Sequence, residues 1–179
     1  MIDITEFSAI APAVRGKMRY SNEYYQGYDL FQERFKAFFP KFPDQVIRQW
    51  PYENFECFTG EYRWLIEYDR LEFRKSKLNV SDFKVLAAER FDNKELLEMG
   101  QTHLNDNEYV ARYIREHLTY PVPIIVLDSL ASNLDGDYEF SSPYHILEGH
   151  RRSWLMRALV ETGNPCIPKT HEVWMAIRK

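Results

Sequence analysis

The 179 residues, 45% hydrophobic and 16% aromatic, can bury a core without disulfides or a structural metal, and are too aromatic for a disordered chain. The formal net charge of −4 excludes a broadly basic nucleic-acid coat, though not a local basic patch. Seven glycines exclude a chain built on repeated Gly-rich loops, so a tight backbone site rests on one or two positions. The start, Met1 to Glu6, has no positively charged or apolar signal region, and no apolar run reaches the roughly 20 residues of a membrane helix. A cytoplasmic chain with no membrane partner is expected. Cys57 and Cys166 are distant and lack metal spacing, so unpaired thiols and no metal site are expected.

Residues 20 to 73 hold 17 of the 28 aromatic side chains. Tyr24, Tyr28, Phe31, Phe35 and Phe38 follow steps of four and three, one face of an amphipathic helix. Ser21 or Asn22 is placed as its cap and Pro40 as its end. A second helix is predicted from Asp44 to Trp50, stopped by Pro51, and a third over 53 to 68. These residues read either as an apolar helical layer covering a sheet or as an aromatic binding platform for bases or a partner. Phe83 to Ala88 reads as a short strand or a helix start. Asn93 to Met99 reads as a helix that Gly100 stops. Asn105 to Leu118 reads as a helix capped by Asn105, with Glu108 three residues on completing a capping box.

Pro121 to Asp128 holds a continuous β-branched run between prolines and an aspartate, the pattern of a buried strand. Residues 129 to 142 are rich in Ser, Asn, Asp and Gly and read as a loop or hairpin. Tyr144 to Leu147 resumes a strand that Gly149 breaks. A helix follows over Arg151 to Thr162, with Gly163 at its end, and Glu172 to Ile177 reads as a last strand. The result is an α+β chain, divided into a helical N-terminal region, 1–79, and a mixed-sheet region, 80–179.

The chemistry is concentrated in Glu148-Gly149-His150-Arg151-Arg152-Ser153, where a strand turns into a helix. The first turn of a helix has unpaired backbone N–H groups and a positive dipole end, which favour anions. Gly149 allows a tight turn and close approach, and guanidinium groups are fork-shaped donors suited to phosphate oxygens. Two arginines in a first turn oppose the helix dipole, so they either serve an anionic ligand or pair with acidic neighbours.

This order of helix, Pro-flanked strand, polar hairpin, strand, Glu-Gly-His-Arg-Arg and helix resembles the ParB/sulfiredoxin-like superfamily. The resemblance covers roughly residues 80 to 178 and is most specific at Ile124 to Asp128 and Tyr144 to Leu159. It implies a ParB/sulfiredoxin-like core in which the Gly149 turn binds nucleotide phosphates through Gly149, His150, Arg151, Arg152 and Ser153. Gly149, Arg151 and Arg152 match the ParB pattern Gly-Glu-Arg-Arg, with His150 in place of Glu. Only Gly149 and Arg152 match the sulfiredoxin pattern, and His150 stands where its catalytic cysteine would be, so sulfinic-acid reduction is not expected. The ParB-like free-serine kinases use Asp-Gly-His-His-Arg. Glu148, Gly149, His150 and Arg152 fit that form, and Arg151 departs from it.

The resemblance thus implies a nucleoside triphosphate such as ATP as ligand, with Mg²⁺ as a candidate companion. Its hydrolysis or phosphoryl transfer, the work of an ATPase or ATP-dependent phosphotransferase, would use Glu148 as general base or Mg²⁺ ligand and His150 at the transferred group. Glu89 is the candidate second acid. Asp128 reads as facing the same site or as a turn residue. The alternatives are a non-enzymatic binding or regulatory protein on the same fold, with a protein partner at residues 20–73, and a ParB-like nuclease. Nucleic acid is not the expected partner, because generic DNA binding draws on many phosphate contacts. The chain as given leaves no room for the DNA reader and dimerisation domain of the partition proteins.

Overall fold

Phe31, Phe35 and Phe39 recur every four residues, and a helix places such residues above one another. All three are buried on α1, Tyr28–Phe38, and the residue after it. The computed structural model describes residues 27–60, 67–86, 88, 92–132 and 143–179, and divides the chain into two units, residues 1–73 with 178–179 and residues 74–177. The cap placed at Ser21 or Asn22, Tyr24 of the helical face, and residues 61–66 of the third helix lie outside the described residues.

In the first unit, α2 is Asp44–Ile47. It runs on into a π turn, Arg48–Tyr52, that contains Pro51. Pro51 therefore does not stop the helix. Proline lacks the N–H for a regular ladder bond, and the coil widens around it until the Glu53 N–H reaches five residues back to the Arg48 carbonyl at 3.2 Å. The α3 helix is Phe55–Gly60, and a 3₁₀ turn covers Tyr68–Arg70. The aromatic residues fill this unit's interior: Phe35 meets Phe39 at 4.9 Å between ring centroids, and Phe58 stacks on Tyr68 at 4.2 Å. The Tyr68 hydroxyl, buried with its ring, donates to the Phe58 carbonyl.

The second unit carries most of a four-stranded mixed sheet, of which Leu71 to Phe73 and Arg178 belong to the first. Its strands are β1, Leu71–Asn79; β2, Ile124–Asp128; β3, Tyr144–Glu148; and β4, Thr170–Arg178. Their order is β1-β4-β2-β3. Pairing of β2 with β4 is parallel and of β2 with β3 antiparallel. The interior position of β2 explains its unbroken apolar run, since Ile124 to Leu127 are all fully buried. The β1 strand was absent from the sequence reading because only Leu71 and Leu78 of its nine residues are buried. Phe83 to Ala88 is neither of the predicted elements at its start: a 3₁₀ turn covers Val80–Lys84, capped reciprocally by Asn79 and Asp82.

Three helices complete this unit: α4, Asn93–His103; α5, Tyr109–His117; and α6, His150–Glu161. The α6 helix packs against α4, α5 and β2. Gly100 does not stop α4. It lies inside the helix, where a β-carbon would stand 2.1 Å from the Trp154 carbonyl oxygen, so glycine here permits close helix–helix approach. Asn105 does not cap α5 either. The Arg115 guanidinium binds the carbonyls of Leu104 and Asp106, and the helix begins only at Tyr109. Among the described residues no helix is long and apolar enough to cross a membrane.

Candidate functional site

The turn after β3 is built from a bulge, a glycine and a helix start. The β2–β3 register shifts between Ile125 and Val126, so Ile125 faces Glu148 while Val126 faces Ile146. The residue skipped is Leu147, and the bulge re-aims Glu148 at the strand's end. Gly149 then takes φ +99°, a conformation costly for any side-chain-bearing residue. A β-carbon there would also stand 2.6 Å from Ile124 Cγ2. With the chain so reversed, α6 starts at His150 close to the start of β2.

The polar groups of the turn bind one another. One Glu148 oxygen accepts the Gly149 N–H, and the other lies 3.4 Å from the Arg152 guanidinium. Arg152 also donates to the Val122 carbonyl at 2.8 Å. This pair is largely withdrawn from water, with side-chain exposures of 19% for Glu148 and 12% for Arg152. Arg151 reaches the other way and pairs with Glu108, just before α5; both are exposed. The Ser153 hydroxyl is buried and donates back to the Gly149 carbonyl at 3.0 Å. His150 is half-buried at the first position of α6.

Beneath the turn lies His145 on β3, which the sequence reading did not single out. It is 3% exposed. Burial first, and the nearby His150 second, push its imidazole down to about 4. Arg157 is a second such residue. It is buried on α6, where its guanidinium binds the Lys84 carbonyl and takes Asn93 at both its backbone oxygen, 3.1 Å, and its side-chain oxygen, 2.9 Å. An arginine within an apolar helical stripe is the local signal for such an anchor, because its charge is tolerated inside only when bonded.

The remaining candidates separate from the turn. Asp128 closes the turn after β2: its carboxylate accepts the Ala131 N–H at 2.9 Å and its carbonyl accepts the Ser132 hydroxyl at 2.6 Å. Glu89 lies outside the described residues. No family model, curated protein or solved structure matches the chain.

Chemically, the turn presents a helix start, two guanidiniums and two carboxylates. A Mg²⁺ ion does not fit it as built. Glu148 and Glu108 each already sit on an arginine, and a metal would have to displace a guanidinium to reach either. Among the described residues no three His, Cys, Asp or Glu side chains cluster as metal ligands do.

Proposed function

We propose that the chain is a ParB-like nucleotide-binding protein that seats the phosphates of a nucleoside triphosphate at Glu148 to Arg152. The observation that supports this reading is the left-handed Gly149 opening a twelve-residue helix, with Arg151 and Arg152 in its first turn. In this reading the ligand's phosphates take the Gly149 and first-turn N–H groups, and Arg151 leaves Glu108 to meet them. Arg152 stays on the Val122 carbonyl and turns to the phosphates the edge that otherwise meets Glu148. Glu148, displaced by the phosphates, is left beside them as a base. It takes the proton of an attacking water or hydroxyl acceptor, while the arginines and the helix start hold the charge on the leaving phosphate oxygens.

A second reading, a binding or regulatory protein without turnover, is favoured by one contact. The Glu148 carboxylate already occupies the glycine N–H and the Arg152 guanidinium, the groups a phosphate would use.

Calorimetric titration of the chain with ATP, CTP, GTP and inorganic tripolyphosphate, each with and without Mg²⁺, tests the parent proposal, with phosphate release followed in parallel. Binding of a triphosphate that Arg151→Ala weakens is the expected result. Absence of binding by all of them overturns it. Glu148→Gln divides the two readings. Loss of turnover with binding kept assigns the enzyme; tighter binding with no turnover in either form assigns the binding protein.

A further inference from the structure

Within the second unit, β1 forms one end of the described sheet, and most of its side chains are not spent on the core. Arg74, Lys75 and Lys77 are exposed. None of the three is in an ion pair among the described residues. Lys75 lies 5.6 Å over the Trp174 ring, so its stem is laid on β4 while its charge is left at the surface. Three unneutralised cations within four residues are a local excess in a chain of net charge −4.

The direction in which the backbone faces follows from two contacts. The Val80 N–H donates to the Lys169 carbonyl at 2.9 Å, and Lys75 meets Trp174. Five residues back along β1 correspond to five forward along β4, so the two strands are antiparallel. Backbone groups alternate sides along a strand. Val80 points at β4, so Asn79, Lys77 and Lys75 point away from it. Asn79 confirms the phase, because its N–H is accepted outside the sheet by the Asp82 carboxylate at 2.8 Å. The two lysines thus combine an outward-facing backbone with a cationic side chain, and a carboxylate already closes the end of this edge.

We propose that β1 is the docking edge for an acidic, extended segment of a partner protein, which adds to the sheet as a further strand. The partner's backbone takes the outward amides and carbonyls of Lys75 and Lys77. Its acidic side chains, at alternate positions, lie opposite the two lysines. A second copy of this chain is a poor occupant, because β1 paired with itself sets Arg74, Lys75 and Lys77 against the same cations. A nucleic acid matches the charge but cannot take the backbone ladder, and residues 74 to 79 offer no aromatic ring for a base to stack on. The proposal is independent of the nucleotide reading.

The test uses the full chain and a fluorescent peptide of alternating Glu and Val, with binding read by anisotropy. The comparison probes are the Lys–Val counterpart, the Glu–Val peptide N-methylated at every second amide, and a single-stranded oligonucleotide. The Glu–Val peptide is expected to bind and to slow amide exchange at Lys75 and Lys77. N-methylation should remove the binding. Reversing both lysines, K75E with K77E, should weaken it by about tenfold or more and transfer the preference to the Lys–Val peptide. Absence of Glu–Val binding, equal binding of the N-methylated peptide, or binding of the oligonucleotide alone would each overturn the proposal.

Discussion

The Glu148 carboxylate stands 3.4 Å from the Arg152 guanidinium, four residues on, and accepts the N–H of the next residue, Gly149, as well. Arg152 is at once a candidate phosphate ligand and a tie between the start of α6 and the backbone entering β2. The neighbouring Arg151 shows no such second contact among the described residues, and its pair with Glu108 lies in solvent.

The two arginines should therefore separate under denaturant. Arg152→Ala removes the guanidinium from the largely buried Glu148 carboxylate, together with its bond to the Val122 carbonyl, and is expected to cost about 1–3 kcal/mol. Arg151→Ala breaks an exposed pair and should stay within about 1 kcal/mol of the parent chain. Urea unfolding of both variants checks this. Equal losses would mean that the Arg152 contacts contribute no more than the surface pair.

Two glycines should be intolerant for different reasons. At Gly149, alanine meets Ile124 and must also hold a positive φ, for an expected loss of about 2–4 kcal/mol. At Gly100 the backbone is ordinary helix and alanine would raise propensity by about 1 kcal/mol, yet its β-carbon falls against the Trp154 carbonyl. Net destabilisation of about 1–3 kcal/mol is expected. Thermal melts of Gly100→Ala settle the sign, because an increase in Tm would mean that α4 shifts away from α6 at no cost.

Much of the sheet and α6 was legible because β2, β3 and β4 are apolar runs that local pattern identifies without help. The β1 strand was not, because an edge strand exposed along most of its length has no alternation to read. Gly100 and Asn105 misled for another reason. A glycine near the end of a periodic run has the same local form whether it stops a helix or admits a neighbouring one. Likewise, the Asn105 capping pattern is outweighed by Arg115 binding the carbonyls of Leu104 and Asp106. At the turn, Gly149, Arg151 and Arg152 could be read from adjacency alone. Glu108 and the Val122 carbonyl could not, since only tertiary packing brings them there.

Acid should weaken the fold through His145. An unfolded chain gives its imidazole an ordinary pKa near 6.5, while the folded chain holds it at about 4. The unfolded state therefore binds the proton first, and stability present above pH 6.5 is lost as the pH falls from there towards 4. The full difference is about 3 kcal/mol, with buried His171, also shifted down by burial, adding in the same direction. Denaturant unfolding between pH 7.5 and 4 should show the decline, and His145→Gln should flatten it. An unchanged slope in that variant would exclude His145 as the source.

In the first unit, the ring stack of Phe58 on Tyr68 and the Tyr68 hydroxyl bond can be separated. Tyr68→Phe keeps the stack and leaves the Phe58 carbonyl without the hydroxyl, at about 1–2 kcal/mol. Phe58→Ala empties a fully buried position and should cost about 3–5 kcal/mol. Chemical denaturation followed by tryptophan fluorescence, with Trp50 as a nearby reporter ring at 5.0 Å, compares them. A larger loss for Tyr68→Phe would reverse the assigned order.

Arg157 brings Lys84 and Asn93 to a single guanidinium on α6. The stretch of chain between those two residues thus has both ends anchored to the same helix, whatever its length. The end of the 3₁₀ turn and the first residue of α4 are therefore tied to α6 by one side chain, and Leu86 and Ala88 between them are buried in the core.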